Sequence, residues 1–97
     1  MGIILTTAQA GTLESSDILV TVSPVAEGSG IVIEIESIVM AQYGNAIRQT
    51  LAAVLAEQGI KDVYLKAVDR GALDCTIKAR ALAALGRAGA VPKGEMV

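Results

Sequence analysis

The sequence predicts an α+β fold: a four-stranded antiparallel sheet, ordered β-β-α-β-β-α along the chain, with helices packed on one face. Three observations predict it. Apolar residues alternate over Ile18–Ser23 and again over residues 31–36. They recur at helical spacing from Val39 to Leu55. Two further alternating runs flank Asp69-Arg70-Gly71. A period of two marks a half-buried strand, and a period of 3.6 marks an amphipathic helix.

Taken in order, residues 1–11 carry no clear period and read as a flexible arm. Ile18, Val20 and Val22 then share one face of a strand. The stretch PVAEGSG at residues 24–30 is rich in turn formers. Ile31, Ile33 and Ile35 oppose Glu34 and Glu36 in the next run, so the two runs read as a hairpin with one wet face. Ser37 suits a helix N-cap. Val39, Tyr43, Ile47, Leu51, Val54 and Leu55 follow on one stripe, and Gly59 ends the helix. Gly44-Asn45 weakens helix propensity, so the start is open between Ser37 and Asn45. Residues 62–68 and 72–80 read as a second hairpin around Asp69-Arg70-Gly71. In that register Val63, Leu65, Ala67, Leu73, Cys75 and Ile77 form one apolar face. Residues 81–88 read as a short helix, and residues 89–97 as a mobile tail. The whole chain, 1–97, reads as one domain.

Composition narrows the function. Hydrophobic residues make up 53% of the 97, yet Tyr43 and Tyr64 are the sole aromatics. The core must come from Ile, Val, Leu and Ala. A net charge of −2 and the scarcity of aromatics disfavour nucleic acid as a partner. Residues 1–47 hold five acids and no Lys or Arg, whereas residues 48–97 hold eight bases and five acids. The acidic half, with Glu14 and Asp17, suits recognition of basic partners. Cys75 is the only cysteine and there is no histidine, so no metal site is expected. Cys75 reads as a buried thiol in a reducing compartment, the cytoplasm. The apolar run at residues 3–5 is too short for a signal peptide or a membrane span, and no Lys or Arg precedes it.

An enzyme is not expected. Without histidine the commonest general base is missing, and no phosphate-cradling glycine motif occurs. The run Ala10-Gly11-Thr12-Leu13-Glu14-Ser15-Ser16-Asp17 stands out instead. By composition it is a turn leading into a strand. An exposed loop hydroxyl can also enter a foreign active site and be activated by a base supplied there.

AGTLESSD, a following strand, DRGALDCTIKAR, and the stretch Tyr43-Gly44-Asn45-Ala46-Ile47-Arg48 together resemble the acyl carrier protein, or gamma subunit, of bacterial citrate lyase. The resemblance spans roughly residues 8–88. It implies that the first serine after Leu-Glu, Ser15, carries a 2′-(5″-triphosphoribosyl)-3′-dephospho-coenzyme A-derived group through a phosphodiester. Ser16 stands where a small residue such as Gly or Asn is more readily expected. The arm's thiol would hold acetyl and then citryl thioesters during citrate fermentation. The implied partners are the alpha and beta subunits of the lyase and the prosthetic-group transferase, with Glu14 and Asp17 aiding recognition. The malonate decarboxylase carrier is a related family with a similar arm, but its Ser-Gly-Asp pattern fits this run less well. A small-molecule-binding or adaptor domain is the reading outside carriers.

Overall fold

The computed structural model describes residues 4–89. Its elements are β1 (Ala8–Gly11), β2 (Ile18–Ser23), β3 (Ile31–Ser37), α1 (Met40–Glu57), β4 (Val63–Asp69) and α2 (Asp74–Arg87). The fold is α+β, with four strands and two helices, but the sheet is mixed rather than antiparallel. Its strand order is β1-β2-β4-β3. The β1–β2 and β2–β4 pairs are antiparallel, and β3–β4 is parallel.

The expected hairpin of β2 with β3 does not form. The two strands lie on opposite sides of β4, with Val20 facing Ala67 and Ile35 facing the same Ala67 from the other side. The reason is α1. Two strands joined by a long helix pair in parallel, because the helix provides the crossover. Of the neighbours of β4, β2 buries its alternate residues completely, whereas Ile33 and Ile35 of β3 are partly buried against the core. Ile18, Val20, Val22, Val63, Leu65 and Ala67 are all fully buried.

The second hairpin is also corrected. Residues 72–80 are not a strand; α2 runs unbroken from Asp74 to Arg87 and absorbs the short helix expected at 81–88. Its buried positions Ile77, Ala81, Ala84 and Leu85 repeat at helical spacing. Leu73 and Cys75, assigned to the sheet's apolar face, are exposed. Gly71 does take the left-handed conformation expected of it, with φ 92°, but in a turn from strand to helix.

Residues 8–11, read as part of an arm, form edge strand β1. Ile4 is buried, and the Leu5 and Thr6 amides donate to Ala88 O at the end of α2. Of the expected tail, residues 90–97 lie outside the described residues. α1 begins at Met40 and runs through Gly44-Asn45. Its N-cap is Val39, not Ser37. Ser37 Oγ accepts the Val39 amide and donates to Asp69 Oδ2, so it joins the helix start to the end of β4. Gly59, with φ 71°, follows the helix as expected.

Both helices cover one sheet face, α1 over β3 and α2 over β1 and β2. The edges of the sheet are guarded. Arg48 of α1 donates to Ile33 O on β3, and Arg87 of α2 donates to Gln9 O on β1. Edge carbonyls engaged in this way are poor templates for another strand.

Candidate functional site

The stretch singled out in the sequence is the β1–β2 hairpin loop, residues 12–17. Its base is closed by Gly11. At φ 102°, Gly11 brings the backbone so close to Ile18 that a Cβ would sit 1.8 Å from the Ile18 carbonyl oxygen. Only glycine fits there.

Above that base the chain makes a tight turn. The Asp17 amide donates to Glu14 O at 3.2 Å, which places Ser15 and Ser16 at the two central positions. Ser16 has φ 64°, the sole positive φ outside glycine among the described residues. A positive φ at the second central residue alone is the type II requirement. Glycine or asparagine is preferred at that position, which gives a physical reason for the small residue expected where Ser16 stands.

The two serines are therefore not equivalent. The Ser16 amide donates to Arg70 O at 2.7 Å, and the Arg70 amide donates to Asp17 O at 2.8 Å. These two bonds fasten the loop to the segment between β4 and α2. Ser15 has an ordinary φ; both serines are exposed and neither hydroxyl takes a partner among the described residues, so the difference between them lies in the backbone.

Asp17 fixes the frame. Thr12 Oγ1 donates to its Oδ2 at 2.7 Å and the Ile18 amide to its Oδ1 at 2.7 Å. Arg80 of α2 grips both oxygens, Nε to Oδ1 at 3.1 Å and a terminal nitrogen to Oδ2 at 3.0 Å. Such a fork is the strongest form of side-chain ion pair. The Thr12 hydroxyl, then Arg80 and the Ile18 amide, lower the Asp17 pKa to about 2. The Asp17 side chain is only 13% exposed. It thus acts within the loop, whereas Glu14 is exposed beside Ser15. Arg80 lies 63 residues from Asp17, and no local pattern pairs the two.

Next to the loop lies a groove of about 630 Å³. Val39, Tyr43 and Ile47 of the α1 side face Ala72, Leu73 and Cys75 across it. Asp69 lies in its lining, 1% exposed. Its carboxylate accepts from Ser37 Oγ and from the Gly71 and Ala72 amides. Tyr43, expected in the helix's buried stripe, is 55% exposed here. Cys75, expected to be buried, is exposed on the groove wall.

A small α+β domain that carries exposed serines on a braced turn has the form of a carrier. The family model "ACP: Malonate decarboxylase delta subunit (MdcD)" matches residues 5–88, so the chain belongs to this acyl carrier family. Within it, the chain is a member of the citrate lyase acyl carrier group. It is 51% identical over 84 residues to the citrate lyase acyl carrier protein of Streptococcus equi subsp. equi, covering 87% of this chain and 81% of that one. With that of Lacticaseibacillus casei it shares 54% identity over 81 residues, covering 84% and 78%. With that of Halothermothrix orenii it shares 50% over 82 residues, covering 84% and 85%. The fold is that of a chain in the crystal structure of a Pseudomonas malonate decarboxylase hetero-tetramer in complex with malonate. The TM-score is 0.75 at 17% identity, covering 89% of this chain and 87% of that one. Among the described residues, no helix is long and apolar enough to cross a membrane.

Proposed function

We propose that this chain is the non-catalytic carrier subunit of a cytoplasmic citrate lyase, with its prosthetic arm attached through Ser15. The observation that supports the reading is the turn at residues 14–17, in which Ser15 is exposed at the first central position and free of the backbone constraint that holds Ser16. A transferase must reach the serine oxygen in line with a phosphate, and a corner hydroxyl without an internal partner leaves that approach open. Ser16 is the poorer acceptor. Its backbone is tied to Arg70 O and holds the positive φ on which the turn depends.

The arm is a phosphoribosyl-dephospho-coenzyme A group, and its thiol supplies the acyl-bearing chemistry when attached. The residues of this chain hold and present it. Gly11 closes the hairpin, while Asp17, Thr12 and Arg80 brace the loop against α2. A rigid base with one tethered arm raises the effective concentration of the acyl group at the sites of the alpha and beta subunits. Glu14, exposed next to Ser15, is the acidic side chain placed to meet a basic partner surface.

The test is intact mass after co-expression with the arm-forming enzymes and the transferase. A mass gain equal to the arm on the wild type supports the reading. No gain under conditions that load another member of the family contradicts it.

A further inference from the structure

Resting on that reading, we propose that the groove beside the serine loop is a docking site for the uncharged, thiol-bearing stretch of the carrier's own arm. Position gives the first argument. The groove rim includes Gly71, and the neighbouring Arg70 is joined to Ser16 and Asp17 by two backbone hydrogen bonds. From the spacing of successive Cα atoms, Ser15 lies roughly 10 Å from that rim. A flexible arm rooted at Ser15 can fold back so that its far, thiol-bearing stretch reaches the groove.

Chemistry gives the second. The walls are apolar, and Tyr43 and Leu73 stand 55% and 71% exposed at the groove, with none of the described residues over them. The start of each helix lines the groove, and neither N-cap residue, Val39 or Leu73, makes a side-chain capping bond. First-turn amides without side-chain acceptors can receive neutral amide carbonyls, which a coenzyme A-type thiol stretch contains. Asp74 and the buried Asp69 give the lining negative charge, which disfavours the arm's phosphates. A volume of 630 Å³ falls within the roughly 300–1,000 Å³ that holds small ligands. The groove thus suits the neutral end of the arm and disfavours its anionic root.

Cys75 on the wall is a built-in reporter. Loaded carrier, verified by intact mass, is alkylated with iodoacetamide, and peptide mass analysis reads Cys75 separately from the arm's thiol. Occupancy of about two-thirds slows Cys75 alkylation about threefold relative to unloaded Ser15→Ala carrier. Leu73→Lys, at an exposed position, restores the faster rate in loaded carrier without affecting loading. Backbone NMR shifts on loading should centre on Gly71, Ala72 and Tyr43. Equal Cys75 rates in loaded and unloaded carrier, with no shifts at those residues, overturn the proposal while leaving the carrier reading intact. Failure to load at all is instead a failure of that reading, and the mass measurement records it separately.

Discussion

Replacing Ser16 with glycine should stabilise the protein, while the same change at Ser15 should weaken it. Ser16 holds φ 64°, in the left-handed region, and Ser15 does not. A side chain in that region costs about 1–2 kcal/mol. Glycine removes this cost but loses about 0.5–1 kcal/mol through its freer unfolded chain. The net gain for Ser16→Gly is about 0–1.5 kcal/mol, centred on about 0.75. At Ser15 no strain is relieved, so Ser15→Gly loses about 0.5–1 kcal/mol. For a domain of this size, 1 kcal/mol moves the melting temperature by about 4–8 °C. Thermal unfolding followed by far-ultraviolet circular dichroism should therefore separate the two variants in opposite directions. If Ser16→Gly melts below the wild type, or both variants shift the same way, the turn assignment is wrong, and with it the geometric distinction between the serines.

Other expectations follow from the same contacts. Gly11→Ala forces a Cβ to 1.8 Å from the Ile18 carbonyl oxygen, and urea denaturation should register a loss of about 2–3 kcal/mol or more. Asp69→Ala leaves the Gly71 and Ala72 amides and the Ser37 hydroxyl without their acceptor, at a cost of about 3 kcal/mol by the same method. Acid should loosen the serine loop. Asp17, held near 2 by Thr12, Arg80 and the Ile18 amide, and Asp62, lowered by the Gly30 and Gly28 amides, bind protons more weakly folded than unfolded. Their stabilisation is present above the ordinary carboxylate pKa and disappears as pH falls from about 4 toward 2. Melting temperatures measured across that range should fall less steeply in Asp17→Asn than in the wild type. Double replacement of Arg48 and Arg87 by alanine frees both edge carbonyls, and light scattering on heating should show earlier aggregation.

The sequence reveals the elements of this fold better than their partners. Alternation located β2, β3 and β4 because each buries one face, but alternation is silent on which strand lies beside which. The helix between β3 and β4 carried that information, since it makes a parallel crossover. The run from Leu73 to Ile77 misled because residues 73, 75 and 77 alternate while residues 77, 81, 84, 85 and 88 follow a helical repeat. The longer repeat decides the structure, since it buries Ile77, Ala81, Ala84, Leu85 and Ala88 against the sheet. β1 was missed because a four-residue edge strand is too short to show a period. At the site, the serine turn was visible in its composition. Its brace was not, because Asp17 and Arg80 meet only once α2 is laid across β1 and β2. The groove was hidden for a related reason: Tyr43 and Cys75 fit apolar stripes in sequence but stand exposed near the starts of α1 and α2.

The central claim is that Ser15 bears the arm, and intact-mass analysis of three proteins tests it most directly. Wild type, Ser15→Ala and Ser16→Ala are each co-expressed with the arm-forming enzymes and the transferase. The arm's mass should appear on the wild type and on Ser16→Ala and be absent from Ser15→Ala. An adduct on Ser15→Ala, or its loss from a folded Ser16→Ala, would contradict the account.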